Sequence, residues 1–330
     1  MGIPPFWTHS GVCHSDLDIM TNSWHGLPPT PEEQIGGHEG VGHIVRLGPG
    51  AETSGLGIGD RVGVKWVASA CGNCEPCYAG LDNMCFNQKV SGYYTPGTFQ
   101  QYLLRPAAYV TRIPDEVESV QAAPLLCAGL TVYSALKRST AIPGQWVVIS
   151  GAGGGLGHLA VQIASKGLGL RVIGIDHGQK ADFVKKLGAE HFVDITKFPL
   201  DDNGEAISNF VKSLTEDLGA HSVIVCTAAN IAYSQGLRFL RYGGSLVCVG
   251  LPAGAQKPIA TASPSFMVSK QLRILGSAVE NRVDATEVLN FAARGIVKVH
   301  VREEQMDGLS AIFQDMREGK LIGRAVINLS

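Results

Sequence analysis

Short apolar runs broken by glycine and proline fill the first 125 residues or so. Val41-Gly42-His43-Ile44-Val45-Arg46-Leu47 and Arg61-Val62-Gly63-Val64-Lys65-Trp66-Val67 read as short strands between turns, so this part is expected to be mostly β. From Ala122 the pattern changes. Ala128 to Lys137 reads as a helix, Pro143-Gly144-Gln145 as a turn, and Trp146-Val147-Val148-Ile149 as a buried strand. A glycine cluster leads into a helix from Leu156 to Lys166, followed by the strand Leu170-Arg171-Val172-Ile173-Gly174-Ile175. Further strands are expected at Ser222 to Val225 and Ser245 to Val249, with helices at Lys180 to Leu187 and Glu205 to Leu218. Strands and helices alternating at this spacing build a doubly wound parallel sheet. Beyond about residue 275 a helix at Ala285 to Ala293 and a last strand at Arg324 to Asn328 are expected, with no internal repeat or low-complexity segment along the chain.

Length adds a domain count. At 330 residues the chain exceeds what one hydrophobic core usually organises, so two domains are expected. Hydrophobic residues at 45% and charged residues at 17% are ordinary for globular proteins. A net charge of −2 offers no single-signed field for nucleic acid or an anionic membrane, so neither partner is expected. No apolar run reaches bilayer length. Met1 to Trp7 lacks the basic and apolar regions of a signal peptide, and Phe6 stands where a myristoylation signal requires Ser or Thr. A cytoplasmic protein is therefore expected, and its eight cysteines read as ligands before disulfides.

The strongest chemical signal is Cys71-x2-Cys74-x2-Cys77-x7-Cys85. Four thiolates this close can surround one Zn²⁺ tetrahedrally and leave no open position, which makes a structural site. Reduced thiols that merely sit together, or an iron–sulfur cluster, are the alternatives. A second ligand set is spread over Gly11-Val12-Cys13-His14-Ser15-Asp16, Gly36-Gly37-His38-Glu39-Gly40 and Leu126-Cys127-Ala128-Gly129. Two thiolates and one imidazole would leave a fourth position open for water or substrate. Taken singly, Cys13 and Cys127 read more readily as buried core thiols and His38 as a satisfied core histidine.

Ser150-Gly151-Ala152-Gly153-Gly154-Gly155-Leu156-Gly157 follows an expected strand and opens an expected helix, a context in which glycines let backbone and helix N-terminus approach a pyrophosphate. The strict G-x-G-x-x-G spacing fails by one residue, and a glycine-rich turn without ligand is the alternative. Asp176 ends the second strand about twenty residues on, where an acid bonds the ribose 2′-hydroxyl and repels a 2′-phosphate. This favours NAD over NADP, with an ordinary turn aspartate as the alternative.

Those three segments, the cysteine lobe and the run Leu126 to Tyr133 occur in the order found in microbial zinc alcohol dehydrogenases, and from about Ser10 onward the chain resembles the yeast-type branch of that medium-chain family, which has a similarly lengthened glycine loop. The resemblance implies a GroES-like catalytic domain over residues 1–126 and 276–330, with a structural zinc lobe at about 71–85, and a Rossmann NAD-binding domain over 127–275. It implies that Cys13, His38 and Cys127 hold catalytic zinc with Glu39 beside it, that Asp16 fixes the His38 tautomer, and that Ser15 receives the alcohol proton. Trp24 and Trp66 match positions that narrow the substrate pocket, though plain core packing explains them equally. Lys180 would lie near the ribose together with Asp176, His14 and Arg324 at the pyrophosphate on the loop Gly153, Gly154, Gly155, Leu156 and Gly157, and Thr131 near the nicotinamide.

A small alcohol or aldehyde is the implied substrate, and a homotetramer or homodimer the implied assembly. A polyol or amino-alcohol dehydrogenase of the same fold, and a zinc- and NAD-binding protein without turnover, are the rivals. Two departures stand out. Asp18 replaces the family's proton-relaying histidine, and with an ordinary pKa of about 3.9 it is the weaker base. Met1 to His9 do not resemble the family's leader, so the β-domain is expected to lose part of its sheet and to leave unpaired edges.

Overall fold

The computed structural model describes residues 2–3, 5–24, 27–201, 203–252, 257–279 and 281–330. The chain divides into two compact units, residues 1–130 with 279–330, and residues 131–278.

The first unit is built on a six-stranded sheet in the order Val301–Gln305, Arg324–Asn328, Pro5–Val12, Gly40–Ile44, Arg61–Val64, Thr111–Arg112. Neighbours are antiparallel except Val301–Gln305, which runs parallel to Arg324–Asn328. The leading residues take part in this sheet. Pro5–Val12 lies inside the sheet, pairing His9 with Asn328 on one side and Ser10 with Gly40 on the other. A register shift between Trp7 and His9 breaks the alternation along this strand, which hid it from a period-two reading. Trp7 and Val12 are fully buried against Leu17, Val64, Leu103, Ile312, Phe313 and Ile327.

The expected strand over 61–67 ends at Val64 and a new one begins at Val67. Lys65 between them is buried, and its ammonium donates to the Tyr109 carbonyl at 2.9 Å and to Thr111 Oγ1 at 3.0 Å. Burial lowers its pKa to about 7.

The second unit is a six-stranded sheet, all parallel, in the order His191–Asp194, Arg171–Asp176, Trp146–Ser150, Ala220–Val225, Leu240–Cys248, Arg273–Gly276. That is the doubly wound nucleotide-binding order. Every residue of Trp146–Ser150 is buried, as a central parallel strand covered on both faces requires. The helix expected from Glu205 to Leu218 stops at Ser213, because Glu216, Asp217 and Gly219 take left-handed conformations. The helices Asn230–Arg238, Pro264–Lys270 and Leu309–Arg317 were not among those expected from the sequence.

The expectation that no run reaches bilayer length is also corrected. The helical run Ser119–Ser139 is 21 residues long and apolar enough by composition, but 83% of its most apolar stretch is buried in the protein, which is the state of a core helix. Within it Leu125–Gly129 forms a π turn, a widening that recurs at functional sites.

Replacing Trp7 by Ala should cost about 3–5 kcal/mol, read as a lower denaturant midpoint with unchanged slope. Trp7→Phe should cost less, because the Trp7 indole N–H has no partner among the described residues. A loss of only about 0.5 kcal/mol for the alanine variant, the size of a surface substitution, would contradict a central role for this strand.

Candidate metal centres and nucleotide loop

Cys71, Cys74, Cys77 and Cys85 bring their sulfurs within 4.8 Å of one another. Three separations are 3.5 Å (Cys74 to Cys77), 3.8 Å (Cys74 to Cys85) and 3.5 Å (Cys85 to Cys71). Tetrahedral Zn–S bonds of about 2.3 Å place sulfurs about 3.8 Å apart, whereas a disulfide needs about 2.05 Å. The spacing thus fits one zinc ion and no disulfide. Backbone N–H groups of Cys71 and Asn87 donate to Cys85 Sγ at 3.2 and 3.3 Å. A backbone hydrogen bond from Asn73 is the main cause that brings the Cys71 thiol down to about 6. The Asn73 donor favours the Cys71 thiolate, the form that binds metal, whereas burial pushes the Cys77 thiol up to about 11.

The second cluster gathers Cys13, His38, Glu39 and Cys127, with ligand atoms again within 4.8 Å. Cys13 precedes the helix His14–Met20, His38 and Glu39 precede the strand Gly40–Ile44, and Cys127 sits on the π turn. His38 Nε2 lies 3.2 Å from Cys127 Sγ, within a few tenths of the about 3.6 Å that a shared tetrahedral zinc requires. Asp16 accepts from His38 Nδ1 at 2.7 Å and from the Cys13 N–H at 2.9 Å. The proton is thereby kept on Nδ1, and Nε2 is presented as the ligand atom. Cys13 accepts a hydrogen bond from Cys127, which holds the Cys13 thiol well below its usual range and raises that of Cys127.

Three ligands and an open position were expected; the structure brings the Glu39 carboxylate close enough to be a fourth donor. Burial pushes the Glu39 carboxyl up to about 7, against the pull of the Arg324 guanidinium paired with it. Glu39 Oε2 has no hydrogen-bond partner among the described residues. A Cβ on Gly11 would fall 2.0 Å from that oxygen, so glycine at position 11 makes its room. Sequence reading missed this, as it missed the clamp on the His38 segment. Thr98 and Phe99 donate backbone N–H groups to the Gly37 and Gly36 carbonyls, both at 3.0 Å. No local pattern announces such a loop-to-loop contact.

Around this cluster, Trp66 packs edge-on against the His38 ring at 5.0 Å, and Trp24 against Trp66 at 5.8 Å. Ser15 and Asp18 are partly buried on the helix His14–Met20, while His14 is exposed. Asp18 Oδ1 lies 3.8 Å from His14 Nε2. Burial raises the Asp18 pKa, offset in part by His14.

In the second unit the glycine-rich segment turns directly after the strand Trp146–Ser150 and enters the helix at Gly157. A Cβ on Gly157 would sit 2.0 Å from the Gly151 carbonyl oxygen, and one on Gly153 would meet the Lys180 side chain at 2.7 Å. Asp176, at the end of the neighbouring strand, accepts from the Gly153 N–H and the His177 N–H, each at 2.8 Å. Lys180 Nζ lies 3.2 Å from Asp176 Oδ1. Gly154, Gly155 and Leu156 complete this loop, and Thr131 is buried at the start of the unit.

Thiolates and an imidazole gathered on a β-rich unit, in a chain that also builds a doubly wound sheet, mark a zinc-binding dehydrogenase. Residues 7–115 match the alcohol dehydrogenase GroES-like domain and residues 155–294 the zinc-binding dehydrogenase family. Alcohol dehydrogenase 2 of Emericella nidulans is 67% identical over 98% of this chain and 89% of its own length. Alcohol dehydrogenase of Schizosaccharomyces pombe is 43% identical over 98% and 88%. Among solved structures, the alcohol dehydrogenase of Aeropyrum pernix superposes with a TM-score of 0.87 at 29% identity, covering 99% of this chain and 92% of its own. Acetophenone reductase of Geotrichum candidum in complex with NAD gives 0.84 at 26% identity, covering 99% and 89%. The chain belongs to the zinc-containing alcohol dehydrogenases.

Metal analysis of the purified protein should find two zinc ions per chain, one for each cluster. Cys74→Ser should lose one zinc and lower the yield of folded protein, because a closed four-thiolate site contributes folding energy. Cys127→Ser should also lose one zinc yet keep the fold, seen as an unchanged circular dichroism spectrum. Equal loss of folded protein in both variants would contradict this division.

Proposed function

We propose that the chain interconverts an alcohol and its aldehyde or ketone with NAD⁺ and NADH, using Cys13, His38 and Cys127 as the ligands of the working zinc. The observation that carries this is the Asp16–His38 bond of 2.7 Å, which aims Nε2 at the two thiols. When bound, zinc supplies Lewis acidity that lowers a hydroxyl pKa from about 15.7 to about 7 for water, and the nicotinamide takes the hydride. The chain's residues do the remaining work. Asp16 orients the imidazole, and the edge of Trp66 restrains its rotation. Ser15, on the first turn of the helix that starts at His14, receives the proton of the alcohol. Asp18, one turn on, hands it toward solvent through its half-exposed neighbour His14. Glu39 and Arg324 neutralise each other beside the cluster. Trp24 and Trp66 shape the substrate pocket.

We assign the cofactor's phosphates to the loop Gly153, Gly154, Gly155, Leu156 and Gly157, its ribose to Asp176 and Lys180, and a place near the nicotinamide to Thr131. The close approach of Gly157 to Gly151, which leaves no room for side chains, supports this reading. So does Asp176, whose carboxylate retains acceptor capacity for a hydroxyl and would repel a 2′-phosphate. Thiols kept reduced for metal argue for the cytoplasm, and family resemblance for a homotetramer or homodimer.

The test is the appearance of NADH absorbance when zinc-loaded protein is given NAD⁺ and a panel of primary and secondary alcohols. Turnover lost in Cys127→Ser but present in the wild type is expected; an inactive wild type retaining both zincs and binding NADH would favour the non-enzyme rival. The wild type should prefer NAD⁺, and Asp176→Ala should shift the ratio of kcat/KM values toward NADP⁺ by at least about tenfold, the loss of a charge–phosphate repulsion of about 1.4 kcal/mol. An unchanged ratio would remove Asp176 from the ribose site.

A further inference from the structure

A cavity of about 170 Å³ opens in the second unit, at the edge of the parallel sheet where its strands begin. His221 and Arg241 are the second residues of their strands, Arg273 is the first of its own, and Gln145 precedes Trp146–Ser150. The glycine loop leaves the other end of Trp146–Ser150, so the cavity is distinct from the segment assigned to the cofactor's phosphates. Two guanidinium groups line it and no carboxylate among the described residues does; the lining residues and their chain neighbours are all described. Donors there outnumber acceptors. Arg241 Nε donates to the Gly219 carbonyl at 2.8 Å, which fixes the guanidinium beside His221. Arg241 Nη1 lies 2.9 Å from His221 Nε2, while the Trp146 N–H donates to His221 Nδ1 at 3.1 Å. Both ring nitrogens therefore face an N–H. Burial and the Arg241 charge lower the His221 pKa, and the neutral ring carries one proton. With Nδ1 accepting from the backbone, that proton sits on Nε2 and opposes an Arg241 N–H. Arg241 Nη2 is buried and makes no hydrogen bond among the described residues; the Glu216 carboxylate with which it pairs is 3.8 Å away and 62% exposed. Arg273 Nη2 donates to Thr140 Oγ1 at 3.3 Å, and the Gly243 carbonyl is 3.5 Å off.

We propose that this cavity binds a phosphate group, free or on a phosphate monoester, through Arg241, Arg273 and the His221 Nε2–H. An acceptor oxygen set against both His221 and Arg241 relieves the opposed N–H groups, and a second oxygen meets Arg273. Phosphate suits the site better than a carboxylate does. Its charge of about −1.5 to −2 near neutral pH offsets two arginines, and its oxygens point in more than two directions. Arginine is also the side chain whose fixed fork matches phosphate geometry. The site lies away from zinc and the glycine loop, so it stands whether or not the chain turns over an alcohol. A ligand held there by the folded chain alone stabilises the fold.

The experiment titrates inorganic phosphate into the zinc-loaded protein by calorimetry, in excess NADH, with chloride at equal ionic strength as the reference. Excess NADH keeps phosphate off the glycine loop. The wild type should bind phosphate saturably, one per chain. Arg241→Gln and Arg273→Gln should each weaken that binding about tenfold, the loss of one charge-assisted contact. Arg273 is exposed, so its replacement leaves the fold intact whatever Arg241→Gln does to it. Thermal unfolding supplies a second readout: phosphate should raise the Tm of the wild type and raise that of Arg273→Gln less. Glycerol 3-phosphate separates the two sources. Tighter binding than phosphate assigns a monoester, and equal or weaker binding assigns the free ion. Absence of saturable phosphate binding in the wild type, or an affinity that neither substitution changes, overturns the proposal.

Discussion

The arrangement of the catalytic unit depends on one buried carboxylate. Asp16 uses one oxygen for His38 Nδ1 at 2.7 Å and the other for the Cys13 N–H at 2.9 Å. A charge this enclosed is tolerated only when both oxygens are bonded. Satisfying it ties the start of the helix His14–Met20 to the segment that enters the strand Gly40–Ile44. The sheet has already brought these together, because Ser10 pairs with Gly40. Asp16 converts that backbone register into side-chain geometry by fixing which imidazole nitrogen faces the thiols. The π turn does the same for the third ligand, since the extra residue in its ring swings Cys127 to the cluster. Gly11, pressed against Glu39, completes the construction by leaving out a side chain.

How much of this was legible depended on sequence distance. The cysteine lobe could be read directly, because its four ligands fall within one short loop and their spacing alone suits one metal ion. The catalytic set could not. Cys13, His38 and Cys127 lie on three segments, and only family resemblance joined them before the fold did. The Glu39–Arg324 pair spans 285 residues and leaves no local trace. Among secondary elements, buried parallel strands such as Trp146–Ser150 stood out as continuous apolar runs. The strand Pro5–Val12 did not, because its register shift changes which residues face inward part-way along. Helix Asn230–Arg238 escaped for a different reason. Its buried residues include Tyr233, Ser234, Gln235 and Gly236, so burial on this helix does not follow hydrophobicity.

The glycine loop explains its own irregular spacing. The strict motif failed by one residue, yet the contact that matters is made: Gly157 closes on the carbonyl of Gly151, where any side chain would collide. The additional glycine lengthens the arc between them without altering its two ends. Asp176 then secures the arc by accepting from the Gly153 N–H. Two demands therefore meet at this loop, namely a turn out of a central strand and a helix start. Spacing in a motif is a proxy for these demands and can vary while they are met.

The two metal clusters differ in charge as well as in number of ligands, and the difference accounts for where each lies. In the catalytic cluster two thiolates and the Glu39 and Asp16 carboxylates would carry four negative charges, against three positive charges from a divalent ion and Arg324. This near balance permits deep burial: His38, Glu39, Cys127 and Arg324 are buried, and Cys13 alone of the cluster keeps partial exposure. In the lobe four thiolates outweigh one divalent ion by two charges, an excess that a low-dielectric interior would penalise heavily. Cys71, Cys74 and Cys77 accordingly keep partial exposure, and backbone N–H groups point at the lobe's sulfurs. The same balance explains why Glu39 can approach the catalytic thiols at all. Without Arg324 opposite, its carboxylate would be an uncompensated anion; even with Arg324 pulling it down, burial leaves its pKa raised to about 7. With a divalent ion held there, a cluster this close to neutrality would admit a neutral alcohol without a net change of charge.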